Sequence, residues 1–134
     1  MPSDDELIAS AEAVLNPHWV GDRLFGNVGA ALRTPEGHVF TWVCIDTGSG
    51  TGFCAEHAAI AAMLTAGHYA IETIVAVCRQ DDGALLVLPP CGRCREFVRQ
   101  VDVSNIGTRV ILGRGDALPL RELLPRHEWP EPLS

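Results

Sequence analysis

The sequence lacks any long apolar run. None of its hydrophobic stretches approaches the roughly 20 residues that a helix needs to cross a bilayer. The segment from Met1 to Glu6 is acidic and has no basic region of the kind that begins a signal peptide. Internal repeats, low-complexity segments and a recognisable linker are also missing. From these absences we expect a single domain over residues 1–134, located in the cytoplasm and without a membrane partner.

Positive charge is scarce as well. The chain has 10 basic residues against 17 acidic ones, which gives a formal net charge of −7 at pH 7. Because phosphate backbones are bound by basic patches, this balance argues against a long nucleic acid as partner or substrate. Small uncharged or cationic substrates remain compatible with it.

Five cysteines are present, an odd number in a chain for which we expect no export. That number favours metal binding or catalysis over a disulfide framework. Cys44 and Cys78 fall within β-rich runs, and we interpret them as small buried hydrophobic residues. Cys54, Cys91 and Cys94 are therefore the candidates for chemistry.

Apolar periodicity alternates along the chain between strands and helices. We expect helices at about residues 4–15, 54–66 and 91–101, and a short one from 120 that Pro125 stops. The expected strands are 27–33, 38–45, 72–78 and 108–112, with an apolar run at 84–88. Between and after them we expect a loop packed on the first helix at 18–26, a turn at 113–116 and an irregular tail at 126–134. This order predicts an α/β fold, a three-layer α/β/α sandwich with a mixed sheet of about five strands.

The three candidate cysteines fall at two predicted helix starts. Cys54 opens one helix, whereas Cys91 and Cys94 lie three residues apart at the start of another, so their sulfurs face one side. Helix N-termini lower the pKa of a thiol, and zinc prefers thiolate ligands. We therefore predict that these thiolates hold a zinc ion with an open fourth position. Glu56, two residues after Cys54, is predicted to move protons for a zinc-bound water.

Two other interpretations of the cysteines stay open at this point. Cys91 and Cys94 form a CxxC pair, which also occurs in thiol redox proteins. The same residues could belong to a structural zinc site in a protein that is not an enzyme, and that site requires a fourth protein ligand. Glu56 alone is also compatible with an ordinary acidic residue in the first turn of a helix.

Together, the motifs Cys54-Ala55-Glu56 and Pro90-Cys91-Gly92-Arg93-Cys94 resemble those of the zinc-dependent cytidine deaminase superfamily. The stretch Val28-Gly29-Ala30-Ala31-Leu32 is similar to the first-strand motif of those enzymes. The CxxC motif with its following Arg95, the Ala-rich helix and the stretch Arg121-Glu122-Leu123-Leu124-Pro125 look especially like blasticidin S deaminases.

The resemblance implies a cytidine deaminase-like fold and a hydrolase that removes ammonia from a small aminopyrimidine nucleoside. Cytidine or deoxycytidine, giving uridine or deoxyuridine, is the first candidate; a cytosine nucleoside antibiotic such as blasticidin S, or another amino-heterocycle, is the alternative. It further implies one Zn²⁺ per subunit on Cys54, Cys91 and Cys94, with Glu56 as the proton carrier. The subunits are expected to form a homo-oligomer, either a tetramer or a dimer.

The resemblance also identifies where this chain departs from the superfamily. Three thiolates and one Zn²⁺ leave a net charge of about −1, so a nearby cation is expected to offset it. Cytidine deaminases usually place arginine directly after Cys-Ala-Glu, where this chain has His57, and Arg93 is the better candidate. On the substrate side, Asp46 is a candidate ribose contact or a turn-initiating residue. Phe25 is a second candidate substrate contact, although it is displaced by one from the usual aromatic position, and Cys44 stands where the family has an asparagine.

Overall fold

The computed structural model describes residues 3–133 of the chain. Within them lie four α-helices, α1 (Asp4–Ala13), α2 (Ala55–Thr65), α3 (Gly92–Val101) and α4 (Leu120–Leu123). The strands are β1 (His18–Val20), β2 (Arg23–Phe25), β3 (Val28–Arg33), β4 (Val39–Val43), β5 (Thr73–Arg79), β6 (Leu85–Leu88), β7 (Arg109–Gly113) and β8 (Asp116–Pro119). A 3₁₀ helix at Val103–Gly107 follows α3. None of the described helices is long and apolar enough to cross a membrane.

Six strands form one mixed sheet with the order β4-β3-β5-β7-β8, and β6 pairs with β5 off this path. Only the β5–β7 pairing is parallel among these strands. Strands β6 and β7 share one edge of β5, since Thr73 and Ile74 pair with β7 and the residues from Ala76 onward pair with β6. The small gap where β6 and β7 diverge is lined by Ala76 and by Glu56.

The two faces of the sheet are covered by different helices. Leu32, Ile74 and Val110 pack in a core with α2, α3 and α4. Their sequence neighbours, such as Val75 and Ile111, pack with α1 on the other face, because successive strand residues point to opposite sides. These three layers confirm the predicted α/β/α sandwich.

Helix α2 is buried among β3, β4 and β5, as its uninterrupted apolar sequence predicted. Ala59, Ile60 and Met63 have no exposed surface. Gly67 follows the helix with φ +87°, the left-handed conformation that glycine commonly adopts at a helix C-terminus. A buried helix of this kind holds its first residues in a fixed position, and those residues include Glu56.

Several local expectations were wrong. Residues 18–26 were expected to be a loop packed on α1, but β1 and β2 form an antiparallel ribbon there, and Trp19 is 63% exposed. The turn at 113–116 runs into a further strand, β8, so the main sheet has six strands rather than about five. Strands of three or four residues are too short to display an alternating pattern, which is why the sequence did not reveal them.

Elsewhere the predicted helices and strands are present, with ends that differ by one or two residues. Helix α1 ends at Ala13 rather than at residue 15. Residues 126–133 contain no helix or strand, in agreement with the expected tail. Met1 and Pro2 of the acidic N-terminal segment, and Ser134 of the tail, lie outside the described residues.

Candidate metal centre and its cavity

The three candidate cysteines lie at the starts of α2 and α3. Cys54 and Cys91 are the N-cap residues of these helices, and both have extended backbone conformations. Neither thiol makes a capping hydrogen bond to its own helix. Cys94 is in the first turn of α3 and is only 1% exposed. The two helix starts thus present three sulfurs that are not used in capping.

The spacing of the sulfurs fits a zinc ion. All three Sγ atoms lie within 4.8 Å of one another, and the Cys91 and Cys94 sulfurs are 3.8 Å apart. Tetrahedral zinc with bonds of about 2.3 Å to sulfur separates two thiolate ligands by about 3.8 Å. The donor set is therefore of the right chemistry and the right size for Zn²⁺.

No fourth histidine, cysteine or acidic side chain among residues 3–133 joins this group at the same spacing. Cys44 and Cys78, the other cysteines, are outside it. A structural zinc site requires a closed set of four protein ligands, whereas three ligands beside a cavity are typical of a catalytic site. The arrangement of the described residues is of the second kind.

Burial opposes the ionisation of two of the three thiols, those of Cys54 and Cys94. Burial raises the pKa of Cys94, and the nearby Glu56, Cys54 and Cys91 raise it further. The pKa of Cys54 is also raised, chiefly by burial. For Cys91, burial acts in the same direction, but the nearby backbone N–H groups of Cys94 and Arg93 and the neighbouring Cys94 and Cys54 thiols outweigh it, so the pKa of Cys91 is lowered. A bound cation would favour the thiolate form of all three side chains, because a metal-coordinated thiol is deprotonated.

Glu56 lies beside the sulfurs in the first turn of α2. It is 7% exposed and lines the same cavity as the three cysteines. Burial raises the pKa of Glu56, while hydrogen bonds from its own backbone N–H and from the Cys94 thiol partly counteract this. A raised pKa brings a carboxyl group closer to the range in which it can both accept and release a proton.

His57 and Arg93 differ in their relation to the sulfurs. The His57 ring stacks on Phe97 with centroids 4.2 Å apart, and its Nδ1 lies 3.6 Å from the Cys94 Sγ. Burial lowers the pKa of His57, and the positive charge of Arg93 lowers it further. The exposed Arg93 side chain lines the cavity. Of the two, Arg93 is thus the one with a permanent positive charge.

Arg95 holds the CxxC segment in place. Its Nε donates to the carbonyl of Pro90 at 2.9 Å, and its Nη1 donates to the carbonyl of Leu123 at 3.1 Å. These two bonds tie the residue before Cys91 to the end of α4. Arg95 was identified from the sequence only as part of a motif, and nothing in the spacing predicted this role.

A cavity of about 510 Å³ adjoins the sulfurs. We call the part lined by Cys54, Glu56, Cys91, Arg93 and Cys94 the helix side, since these residues come from the starts of α2 and α3. The strand side is formed by the start of β3, the end of β4 and the following loop. Its main residues are Asn27, Val28, Cys44, Ile45, Asp46, Thr47, Gly50, Gly52 and Phe53.

The predicted substrate contacts lie in different places. Asp46 lines the strand side, its side chain is exposed, and its backbone carbonyl accepts a hydrogen bond from Arg23 at 3.1 Å. Phe25 is half-buried in β2 opposite His18 and does not line the cavity. Asn27, which the sequence interpretation passed over, does line it. Only the pairing of β3 with β4 places Asn27 there, so no local signal could have found it.

Comparison with known proteins agrees with this architecture, although no family model matches the chain. A blasticidin-S deaminase from Bacillus cereus is 38% identical over 77 residues, which cover 54% of this chain and 55% of the relative. A probable cytidine deaminase from Dictyostelium discoideum is 35% identical over 71 residues, 52% of this chain and 46% of the relative. The chain thus spans about half the length of the curated relatives it matches.

Solved structures match over nearly the whole chain. The cytidine deaminase from Burkholderia pseudomallei is 28% identical with a TM-score of 0.74, covering 93% of this chain and 98% of that one. For the cytidine deaminase from Mycobacterium tuberculosis the identity is 26%, the TM-score 0.74, and the coverage 93% and 97%. The fold is therefore that of the cytidine deaminases. The sequence relatives and the structural neighbours both support the cytidine deaminase superfamily, to which the motifs of the chain pointed.

Proposed function

We propose that this protein is a zinc-dependent hydrolase that deaminates a small aminopyrimidine nucleoside, converting cytidine or deoxycytidine to uridine or deoxyuridine and ammonia. The observation that carries the proposal is the helix side of the cavity, where three sulfurs lie within 4.8 Å of one another and Glu56 adjoins them. A redox pair requires only Cys91 and Cys94 and leaves the buried Glu56 without a role. A structural zinc site leaves the cavity unexplained.

In this proposal Cys54, Cys91 and Cys94 bind one zinc ion per subunit and leave its fourth position open to the cavity. When bound, zinc would supply Lewis acidity, which lowers the pKa of a water at its open position towards about 7. Arg93 offsets part of the negative charge of the thiolates. His57, which is stacked on Phe97 beside Cys94, packs against the site without adding a charge.

Glu56 is the proton carrier of the proposed reaction. Its carboxylate accepts a proton from the water whose oxygen bonds to the amino-bearing ring carbon. The same carboxyl group delivers this proton to the adjacent ring nitrogen, then takes the remaining proton from the newly bonded hydroxyl and delivers it to the departing amine. The carbon–nitrogen bond breaks, ammonia leaves, and the ring retains the oxygen. With only 7% of its surface exposed, Glu56 exchanges these protons with the substrate rather than with bulk water.

A cytosine nucleoside antibiotic is the second candidate substrate. It is supported by the 38% identity to the Bacillus cereus blasticidin-S deaminase. It is also supported by the strand side, where Cys44 occupies the position at which cytidine deaminases carry an asparagine. We propose Asp46 as a substrate contact in either case, because it lines the cavity. Contact of Phe25 with a substrate stays a prediction from the sequence.

We further propose that the subunits form a homo-oligomer, a tetramer or a dimer. Large apolar side chains on the β1–β2 ribbon and on the edge strand β4 support this assembly, since Trp19 is 63% and Trp42 is 52% exposed. Size-exclusion chromatography with light scattering gives the subunit number directly. A cytoplasmic location stays a prediction from the sequence.

The decisive experiment measures ammonia release from cytidine, deoxycytidine, cytosine and blasticidin S by the purified, zinc-loaded protein. We expect release from at least one of the nucleosides. We also expect the activity to disappear after chelation and to return with zinc. Activity that survives complete removal of zinc would contradict the proposal and favour the redox interpretation of Cys91 and Cys94.

A further inference from the structure

Asn27 has a position that its place in the sequence does not suggest. It directly precedes β3, is half-buried, and lines the same cavity as Glu56 and the three cysteines. The backbone N–H of Cys44 donates to the carbonyl of Val28 at 3.0 Å, which extends the pairing of β3 with β4 to this point. The side chains of residues 27 and 44 therefore meet on the strand side of the cavity.

The carboxamide of Asn27 is held by one hydrogen bond. The Cys44 thiol donates to its Oδ1, with the sulfur 3.3 Å from the oxygen. A thiol is a weak donor, but Cys44 is only 9% exposed, so water does not easily replace it. With Oδ1 engaged in this way, the Nδ2 amine of Asn27 has two hydrogens to donate, and neither has a partner among residues 3–133.

Asp46 complements this donor. Its carboxylate belongs to the same strand side and accepts no side-chain hydrogen bond from residues 3–133. The strand side therefore offers an N–H donor and a carboxylate acceptor to whatever occupies the cavity. A hydroxyl group is the ligand that can use both, since its oxygen accepts and its hydrogen donates.

We propose that Asn27 binds a hydroxyl group on the sugar of the substrate by donating from Nδ2. This inference rests on the proposed function and makes it more specific: the substrate is a hydroxylated nucleoside rather than a free base. A site built to hydrogen-bond a hydroxyl discriminates against an analogue that lacks it, because its polar groups are then left unpaired. Asn27 is thus a specificity-determining residue supplied by β3 rather than by the end of β4.

The test is a binding measurement in which no ligand is consumed. Zinc-loaded Glu56→Gln protein is titrated calorimetrically with cytidine, 2′-deoxycytidine, 3′-deoxycytidine and cytosine. When Asn27→Ala is introduced into the Glu56→Gln protein, we expect the Kd for cytidine to rise about tenfold. This change in affinity is at the upper end of the range for one lost neutral hydrogen bond. It should have no effect on the Kd of cytosine, or on that of the deoxynucleoside that lacks the contacted hydroxyl.

Asn16→Ala is the matched control, since this exposed asparagine lies outside the cavity. It should leave every Kd unchanged. Asn27→Asp keeps the shape and the Oδ1 acceptor but has no N–H donor, so it should lose affinity for cytidine at least as strongly as Asn27→Ala. This second variant keeps the test valid if the alanine variant folds poorly. The melting temperature and the zinc content of each variant are measured alongside.

Three results would overturn the role of Asn27. They are an unchanged Kd for cytidine, an equal loss for cytidine and cytosine, or no binding of any nucleoside to the Glu56→Gln protein. Failure of the proposed function looks different. In that case the wild-type protein releases no ammonia, although cytidine still binds and Asn27→Ala still weakens that binding selectively.

Discussion

The two sides of the cavity are built in different ways. The helix side comes from two short stretches, residues 54–56 and 91–94, each placed by the start of one helix. The strand side depends on the pairing of β3 with β4, which brings Asn27 next to Cys44 across 17 positions of sequence. The side proposed to perform the reaction is thus local in sequence, whereas the side proposed to recognise the substrate is not.

The two sides also differ in how firmly they are held. Helix α2 is buried, and Arg95 ties the CxxC segment to α4 through two hydrogen bonds. On the strand side, the loop after β4 is closed by a pair of backbone hydrogen bonds between Ile45 and Phe53, and Gly48 and Gly50 within it are exposed. Changes in this loop can therefore alter substrate preference without disturbing the sulfurs.

Removing a ligand on the helix side should have the largest effect. Cys94→Ala deletes the most buried of the three sulfurs, so we expect zinc content to fall from one ion per chain to nearly none. Deaminase activity should then fall by far more than the 10- to 100-fold typical of a lost outer-shell partner. Elemental analysis of the dialysed protein and an ammonia assay measure both quantities.

Cys78→Ala is the control for that substitution. Cys78 is a half-buried cysteine of β5 outside the sulfur group, so the variant should retain zinc and activity. Equal loss of zinc in the Cys78 and Cys94 variants would show that the effect reflects general destabilisation rather than ligation.

On the helix side of the cavity, Glu56→Gln should lower the reaction rate without affecting zinc binding. The amide cannot carry a proton, so we expect kcat to fall about 10²- to 10⁴-fold while zinc stays bound. Glu122→Gln, at an exposed acid of α4, is the matched control and should leave kcat unchanged. A Glu56→Gln enzyme that releases ammonia at a rate close to the wild type would remove Glu56 from the proton path.

The contrast between the two sides explains how much could be predicted from the sequence. The α/β/α layering followed from the apolar periodicity, and the sulfur group followed from two helix starts, each a pattern contained in a few neighbouring residues. The β1–β2 ribbon and β8 were missed because three or four residues carry too little pattern. Asn27 was missed because strand register is a tertiary property, which a single residue before a strand does not reveal.

Gly52→Ala should perturb the strand side alone. A Cβ atom at this residue would lie 2.6 Å from the carbonyl oxygen of Ile45 and 2.7 Å from that of Thr47, so the loop has to move. We expect a stability loss of about 1–3 kcal/mol and a rise of about tenfold in KM, with zinc retained. Thermal unfolding, steady-state kinetics and zinc analysis test the three parts.

Gly48→Ala provides the comparison within the same loop. Its added Cβ would meet no atom within 4 Å, and its backbone is not in the left-handed region. This variant should have nearly wild-type stability and KM. If both glycine variants change KM to the same extent, the loop acts through flexibility and not through the shape of the strand side.

Arg93→Ala should have the smallest effect, because an exposed charge is screened by solvent. We expect kcat to fall by about three- to tenfold with zinc retained, since the thiolates lose the cation that offsets part of their charge. Arg93→Lys keeps the charge and should recover most of the rate, whereas Arg114→Ala, at an exposed arginine paired with Asp5, should have no effect.

Raising the ionic strength should reduce wild-type kcat towards that of Arg93→Ala, because added salt screens exposed charges. A kcat for Arg93→Ala equal to that of the wild type at low salt would move the compensating role to another group on the helix side, and His57 beside Cys94 is the one to examine.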